Sequence, residues 1–212
     1  MSGRTILYDY WRSSSSYRVR IAMNLLGIPY ESVAVDLLKG EQVAKQHLSR
    51  NPQGLVPALD IDSVTLTQSL AILEYLNETR NAGFLPADAL GRHRVRSLSN
   101  AIAMEIQPVC NLRVAKHAVS IGGSTTMESW MQHFIVLGLR GFEDLLATSA
   151  EGRYCHGDTV SMADICLVPQ IYNAFRWGIV TDEFPRSVAI AARLEQLAPV
   201  HSAHPDMVKP LT

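Results

Sequence analysis

The sequence predicts an α/β domain followed by an all-α domain. Strand-like and helix-like runs alternate up to about residue 80, a turn-rich segment follows at 81–88, and only helical patterns come after it. We expect the first domain to span residues 1–83 and the second to span residues 88–212. With 212 residues, of which 47% are apolar and 18% charged, the chain can form two folded domains.

A strand–helix–strand unit opens the first domain. Residues 5–10 form an apolar and aromatic run typical of a strand, and residues 14–26 predict a helix that Gly27 ends. Residues 30–36 alternate in polarity and predict a second strand. A crossover of this length implies that the two strands are parallel and that the connection is right-handed.

The remainder of the first domain predicts a short polar helix, a hairpin and a longer helix. These elements are expected at residues 39–48, at residues 55–60 and 64–67 around Asp62-Ser63, and from Gln68-Ser69 onward. Pro57 has no N–H to donate, so it must lie at a strand start or in a bend. The Val56–Pro57 bond can be cis or trans at this stage, because X–Pro bonds populate both isomers.

Helical periodicity predicts that the second domain is a helix bundle. The helices are expected over residues 90–119, 126–148, 161–176 and 186–197. The third of them starts with Ser161-Met162-Ala163-Asp164, a capping box in which Ser161 caps the helix and Asp164 reaches back to it. We interpret this motif as a stabilising element without a chemical role.

Composition and charge exclude several classes of function. The formal net charge of −1 gives no electrostatic basis for binding nucleic acid, and no apolar run is long enough to span a membrane. The N-terminus lacks the apolar core of a secretory signal. The three cysteines are widely spaced and the seven histidines lack metal-ligand spacing, so we expect no disulfide framework, no metal and a cytoplasmic location.

Four consecutive serines, Ser13 to Ser16, lie between the first strand and the first helix. Serine is a favoured N-cap because its oxygen accepts from the unpaired N–H groups of the first helical turn. A helix that starts in this way at a sheet edge presents a partial positive charge, which suits an anion such as a thiolate. On spacing alone, a plain helix cap in a serine-rich turn explains the same residues.

The residues around these serines resemble the signature of zeta-class glutathione transferases. The family pattern S-S-C-x-W/H-R-V-R-I-A is similar to residues 13–22, SSSSYRVRIA. Further similar segments follow in the family's order along nearly the whole chain: Asn51-Pro52, Val56-Pro57, residues 68–72, residues 106–112 and the stretch from Gly157 to Gln170. The resemblance implies a thioredoxin-like N-terminal domain followed by the all-helical glutathione transferase domain.

The resemblance also implies glutathione as cofactor. Ser13 corresponds to the serine that activates the glutathione thiol, Ser14 helps to orient the tripeptide, and Ser15 replaces the family's cysteine. These three serines form the implied catalytic motif, which also contacts the cofactor. That cysteine is not expected to be the nucleophile, because glutathione supplies the sulfur. The other implied glutathione contacts are the γ-glutamyl carboxylate clamp Gln68 and Ser69, the backbone of Val56 before the family's cis-proline, and Gln42, Gln107, Asn111 and Arg113.

The implied activity is glutathione-dependent cis–trans isomerisation of a maleyl dicarboxylate in a homodimeric enzyme. Maleylacetoacetate, an intermediate of aromatic amino-acid catabolism, is the expected substrate, and maleylpyruvate stays open. Arg12, Arg113 and Arg176 match arginines of the bacterial maleylpyruvate isomerases, and arginine forks suit the carboxylates of such a substrate.

Two other interpretations stay open. A zeta-class transferase or dehalogenase would consume glutathione by conjugating it to a small electrophile, whereas a binding protein with the transferase fold would have no turnover. Ser13, Gln68 and Ser69 count against the binding protein, since a scaffold has no physical need for an anion cleft.

Overall fold

The computed structural model describes residues 4–148 and 152–210. Their contacts divide the chain into two compact units. The first contains the chain up to Ala82 together with Gln196 and the residues after it, and the second is Gly83–Glu195. The end of the chain therefore packs with the first unit, whereas the division expected from the sequence assigned it to the second domain.

The first unit is built on a mixed sheet of β1 (Ile6–Asp9), β2 (Glu31–Ala34), β3 (Ala58–Ile61) and β4 (Val64–Thr67), in the order β2-β1-β3-β4. Strands β1 and β2 are parallel, and β3 and β4 form an antiparallel hairpin. The predicted parallel pair and the predicted hairpin are therefore both confirmed. Asp62 and Ser63 at the hairpin turn have φ values of 51° and 65°, which is the conformation that a tight two-residue turn requires.

Helices α1 (Ser14–Leu25), α2 (Lys45–Leu48) and α3 (Ser69–Arg80) complete the N-terminal part of this unit. The continuous helix expected over residues 39–48 is wrong. A 3-10 helix at Glu41–Val43 precedes α2, and Ala44 between them is extended, with ψ at 147°. The carboxylates of Asp36 and Glu41 accept hydrogen bonds from the N–H groups of Leu38 and Asp36, and such local bonds compete with a regular helix.

The second unit is all-helical, as predicted. The long helix expected over residues 90–119 is nevertheless interrupted, because Pro108 has no N–H for the helical ladder and Asn111 is extended. A π-helix at Ala101–Ile106 comes directly before this break. The α-helices are α4 (Ala89–Asn100), α5 (Gln107–Val109), α6 (Leu112–Ile121), α7 (Met127–Ala147), α8 (Met162–Arg176) and α9 (Pro185–Glu195).

The capping box predicted at the start of α8 is confirmed. Oδ2 of Asp164 accepts from the backbone N–H of Ser161 at 2.8 Å and from the Ser161 hydroxyl at 2.6 Å. Oδ1 of Asp164 accepts from the N–H of Cys155 at 2.9 Å, so the carboxylate also fixes the preceding loop. Burial raises the pKa of Asp164, and these hydrogen bonds oppose that shift.

Two short helices at the end of the chain, α10 (Ala198–Ser202) and α11 (Pro205–Val208), were not expected from the sequence. Asn24 on α1 donates to the carbonyl of Pro199 at 3.1 Å, and Nε of Arg20 donates to the carbonyl of Ala203 at 3.1 Å. These contacts attach the C-terminal segment to α1, within the first unit. Across residues 4–148 and 152–210, none of the helices combines the length and apolar character needed to cross a membrane.

Candidate functional site

The candidate site begins where β1 turns into α1. The N–H of Ser13 donates to the carbonyl of Tyr10 at 2.8 Å, and this bond closes the turn between strand and helix. Ser13 is the N-cap, with extended backbone, and its Oγ accepts from the N–H of Ser16 at 3.3 Å. The first turn of α1 contains no acidic residue, so its partial positive charge has no carboxylate of its own. The serine cap predicted for this helix is confirmed, and the structure identifies Ser13 as the capping residue.

Three of the predicted site residues form a continuous hydrogen-bonded chain. Oγ of Ser13 lies 3.1 Å from Oγ of Ser15, and the Ser15 hydroxyl donates to the carbonyl of Val56 at 3.1 Å. Ser15 is buried, whereas Ser13 and Ser14 are half-buried and remain accessible. The start of α1 is therefore joined directly to the loop that precedes β3.

The loop before β3 is fixed by the side chains of His47, which the sequence analysis did not identify, and Asn51. The Val56–Pro57 bond is cis, as the resemblance implies. The carbonyl of Leu55, next to Val56, lies 2.8 Å from Nε2 of the buried His47 and accepts from Nδ2 of Asn51 at 2.9 Å. Because the carbonyl before Val56 is fixed twice, the backbone of Val56 is presented in one orientation.

Gln42 lies on the 3-10 helix that packs against this loop. Gly54 has a φ of 63°, and a Cβ at this position would lie 3.2 Å from the side chain of Val43 and 3.4 Å from the carbonyl of Gln42. Glycine is needed here both for the positive φ and for the close approach. Oε1 of Gln42 is buried and accepts no hydrogen bond from the residues that the structure describes. Its predicted contact with glutathione stays a prediction.

A second helix start, that of α3, holds the predicted carboxylate clamp. Gln68 has φ 67° and ψ 107°, a strained conformation for a residue with a side chain. Its Nε2 donates to Oε1 of Gln53 at 2.6 Å, which joins α3 to the loop before β3. The hydroxyl of the buried Ser69 accepts from Nη1 of Arg18 on α1 at 3.2 Å. As in α1, the first turn of α3 contains no acidic residue.

A buried ion pair supports the turn between β1 and α1. Nη1 of Arg20 lies 2.5 Å from Oδ2 of Asp9, and the same guanidinium donates to the carbonyl of Trp11 at 2.8 Å. Asp9 also accepts from the hydroxyl of Ser32 on β2 at 2.9 Å. Both charges are almost fully buried, so removing one partner would leave the other without compensation. Burial raises the pKa of the nearby Tyr30 to about 12; the charge of Arg20 opposes this shift, and the charge of Asp9 adds a smaller contribution to it.

Two cations lie against Trp11, next to the serines. The guanidinium carbon of Arg12 is 5.0 Å from the centroid of the indole, and Nζ of Lys209 is 5.4 Å from it. Arg12 also donates to the hydroxyl of Tyr10 at 3.4 Å. Arg12 was predicted as a substrate-binding residue, but Lys209 was missed because its position depends on the packing of the C-terminal segment.

The other predicted site residues lie in the second unit. Oδ1 of Asn111 accepts from the N–H of Arg113 at 3.1 Å, so Asn111 is the N-cap of α6, while Arg113 and Arg176 are exposed. Arg176 ends α8, its guanidinium lies 4.9 Å from the centroid of Trp177, and Gln107 begins the short α5. Two side chains from the start of α7 contact the segments next to Gln107 and Arg176. Trp130 donates to the carbonyl of Val109, and Gln132 donates to the carbonyl of Trp177.

The three cysteines do not add a nucleophile. Burial raises the pKa of Cys110 to about 12 and raises that of Cys155 well above its usual value, with the charge of Asp164 adding to the shift at Cys155. Cys166 is fully buried in α8. A sulfur nucleophile at this site would therefore have to be supplied by a bound thiol.

Known proteins match the chain in sequence over nearly its whole length. Residues 3–78 match the family model described as glutathione S-transferase, N-terminal domain. The maleylacetoacetate isomerase of Rhizobium meliloti (strain 1021) is 54% identical over 213 residues, which cover 99% of this chain and 100% of that protein.

Solved structures match it in fold to a similar extent. The holo structure of maleyl pyruvate isomerase, a bacterial zeta-class glutathione transferase, has a TM-score of 0.93 at 38% identity and covers 98% of this chain and 100% of that one. Maleylacetoacetate isomerase from Methylobacterium extorquens AM1, with bound malonate and glutathione, has a TM-score of 0.91 at 40% identity and covers 97% and 98%. The enzyme from Anaeromyxobacter dehalogenans 2CP-1, with bound dicarboxyethyl glutathione and citrate, has a TM-score of 0.86 at 39% identity and covers 99% and 98%.

Proposed function

Because the chain belongs to the zeta-class glutathione transferase and maleylacetoacetate isomerase family, we propose that it is a glutathione-dependent isomerase that converts maleylacetoacetate into fumarylacetoacetate. The observation that carries this proposal is the pair of helix starts without acidic residues, α1 and α3, both hydrogen-bonded to the loop that contains Val56. Two positive helix ends that flank one rigid loop suit a ligand with an anion at each end, such as glutathione with its thiolate and its γ-glutamyl carboxylate.

Glutathione would bind across these elements. Gln68 and Ser69 would hold the γ-glutamyl carboxylate at the start of α3, and the backbone of Val56 would pair with the cysteinyl part. The thiolate would then lie at the start of α1, where the Ser13 hydroxyl and the free N–H groups stabilise negative charge on sulfur. Ser14, Ser15, Gln42, Gln107, Asn111 and Arg113 complete the proposed set of cofactor contacts.

The chemistry follows from what a thiolate can do to a cis double bond. Sulfur adds to one carbon of the C=C bond, the electron pair moves onto the conjugated carbonyl oxygen as an enolate, and the bond between the two carbons becomes single. After rotation, the enolate electrons re-form the double bond in the trans geometry and the C–S bond breaks, which regenerates the thiolate. A relative that binds dicarboxyethyl glutathione accommodates a thioether of this type.

Arginines would hold the charges of the substrate. Arg12, Arg113 and Arg176 are the proposed carboxylate ligands, because a guanidinium fork binds a carboxylate through two parallel hydrogen bonds. Malonate and citrate bind in related enzymes, which supports a site for small polycarboxylates in this family.

The same site suits maleylpyruvate as an alternative substrate. The similarity to the bacterial maleyl pyruvate isomerase, with a TM-score of 0.93, supports this alternative. The deciding experiment is an absorbance assay with maleylacetoacetate and with maleylpyruvate, each with and without glutathione, while free thiol is titrated in parallel. We expect turnover that requires glutathione and leaves its concentration unchanged. Stoichiometric loss of thiol with small electrophiles would instead indicate a transferase or dehalogenase, and failure to bind glutathione at all would indicate a binding protein of another kind.

We further propose that the enzyme is a cytoplasmic homodimer that acts in tyrosine and phenylalanine catabolism. Leu90 on α4 is 77% exposed and Met104 on the adjoining π-helix is 62% exposed, and exposed apolar side chains of this kind support contact with a second copy. Sedimentation equilibrium should give twice the chain mass, and Leu90→Glu should shift the protein toward monomer. A monomeric wild type would contradict the dimer without affecting the isomerase proposal.

A further inference from the structure

We propose that Ser15 is a positioning residue that sets the pKa of the bound glutathione thiol by accepting a hydrogen bond from the Ser13 hydroxyl in the resting site. This inference rests on the proposed function, since it assigns Ser13 to the glutathione sulfur. It concerns the residue that replaces the family's cysteine, which the resemblance places in the implied catalytic motif without giving its effect on the thiol.

The argument begins with the number of protons that the hydroxyls carry. A carbonyl oxygen can only accept, so the 3.1 Å bond between Ser15 and the carbonyl of Val56 uses the only proton of the Ser15 hydroxyl. The 3.1 Å contact between Oγ of Ser13 and Oγ of Ser15 then has Ser13 as its donor. Since Oγ of Ser13 also accepts from the N–H of Ser16, one lone pair of that oxygen remains for a ligand.

This order of donors favours a neutral thiol over a thiolate. A thiol can donate its S–H to the remaining lone pair of Ser13, and the whole chain of hydrogen bonds stays intact. A thiolate needs the Ser13 proton for itself, so the bond from Ser13 to Ser15 has to break before Ser13 can donate to sulfur. With Ser15 as acceptor, the thiol pKa is therefore higher than it would be with a residue at position 15 that cannot accept a hydrogen bond. Ser13 and the helix N-terminus act in the opposite direction and lower the thiol pKa.

The same hydroxyl also orients the loop that would hold the cysteinyl part of glutathione. A carbonyl oxygen has two lone pairs, so Val56 can accept from Ser15 and from a peptide N–H of the ligand at the same time. Loss of the Ser15 hydroxyl would remove one fixed contact of this carbonyl. Ser15 is 9% exposed, so water has little access to replace the lost donor.

Charged groups around the chain of hydroxyls stay the same when only Ser15 is changed. Arg12 precedes the serines, the Asp9–Arg20 pair supports the turn, and Lys209 lies against Trp11. A change in thiol pKa between variants at position 15 therefore reports the hydroxyl. Other titratable groups on the packed elements include Tyr8, Tyr10, Tyr17 and Arg18, together with His47 and Arg50 before Val56, and His204, whose ring contacts that of Tyr17.

The test is a pH titration of bound glutathione, followed by the thiolate absorbance relative to an S-methylglutathione complex. In Ser15→Ala we expect the thiol pKa to fall by roughly 0.3–1 pH unit, because one neutral hydrogen bond no longer opposes ionisation. We expect the Kd of glutathione to rise by roughly 2–10-fold, because Val56 loses a contact. Ser15→Thr retains the hydroxyl and should keep the wild-type thiol pKa.

Ser16→Ala is the matched control. It removes a neighbouring hydroxyl that is buried and that has no hydrogen-bond partner in the described part of the chain, so the thiol pKa should not change. Ser13→Ala should raise the thiol pKa. An unchanged or higher thiol pKa in Ser15→Ala, in the presence of a raised pKa in Ser13→Ala, would overturn this inference alone. A wild type that forms no saturable glutathione complex would overturn the proposed function as well.

Discussion

Two helices of this protein begin with serine and end up with opposite roles. At α8, the carboxylate of Asp164 lies in the first turn, accepts three hydrogen bonds and is fully buried. At α1, the first turn contains only hydroxyls, and Ser13 and Ser14 are half-buried. The start of α8 carries its own carboxylate, and the start of α1 does not.

The difference indicates how a helix N-terminus becomes a site. The partial positive charge and the free N–H groups are common to every helix start, so they cannot distinguish a structural cap from a binding site. Between α8 and α1, the difference is whether the chain supplies a carboxylate to the first turn. The lack of a carboxylate is not sufficient by itself, since the first turns of α6 and α10 contain no acidic residue either. The start of α3 follows α1 in this respect, and it holds the proposed clamp at Gln68 and Ser69.

The largest effect is expected from Asp164→Ala at the closed helix start. The variant leaves two backbone N–H groups and one hydroxyl without their buried acceptor, which should lower the free energy of unfolding by about 3 kcal/mol. The kcat of the folded protein should change little. Chemical denaturation and initial-rate assays measure the two quantities, and a stability loss below about 1 kcal/mol would contradict the closed cap.

Ser13→Ala should have the opposite profile. It removes the proposed thiol activator, so kcat should fall by about 100-fold or more. The free energy of unfolding should fall by only about 1 kcal/mol, which is the usual cost of an N-cap. Near-normal turnover in steady-state kinetics would remove Ser13 from the activating role and leave it as a cap.

Ser14→Asp tests the comparison directly, because it gives α1 a carboxylate in its first turn. The charge should stabilise the helix by roughly 0.3–1 kcal/mol and should oppose a second anion at the same place. Ser14→Asn is the matched control for size. Titration calorimetry should show that glutathione binds the aspartate variant about tenfold more weakly than the asparagine variant, consistent with a like-charge cost of about 1.4 kcal/mol. Equal affinities would mean that no anion lies at this helix start.

The smallest effect is expected from thiol reagents. Burial raises the pKa of Cys110 to about 12 and that of Cys155 well above its usual value, so thiolate is scarce at pH 8. The native protein should therefore show no fast-reacting thiol with iodoacetamide, and the unfolded protein should show three. Mass spectrometry of the labelled protein measures both. Because a raised pKa delays ionisation, labelling of Cys110 should increase only as the pH rises toward 12.

Local patterns predicted those parts of the site that depend on neighbours in the chain. The Ser13 cap, the hairpin turn at Asp62-Ser63 and the Asp164 capping box each involve residues within a few positions of one another, so their hydrogen bonds follow from spacing. The proposed glutathione contacts came from the resemblance. The hydrogen bonds from Ser15 to Val56 and from Gln68 to Gln53 connect these residues, and spacing along the chain does not predict them.

Features that depend on distant partners could not be predicted. Arg18 and Arg20 are fully buried in α1, although charged residues usually indicate an exposed helix face. Their burial depends on Asp9, Ser69 and the carbonyl of Ala203, which lie on three different elements. The helix expected at 39–48 was wrong for a different, local reason, since the carboxylates of Asp36 and Glu41 bond backbone N–H groups there and compete with a regular helix.

The sequence by itself determined the order of the four strands and of the main helices, the two kinds of domain and the serine-capped start of α1, because periodicity and capping are local properties. Only the tertiary structure decided that the chain after Gln196 belongs with the first unit and that Ser15 joins the α1 start to the loop before β3. The direction of a hydrogen bond depends on which acceptor a donor finds in the folded protein. For Ser15, that acceptor is the carbonyl of Val56, 41 residues away along the chain.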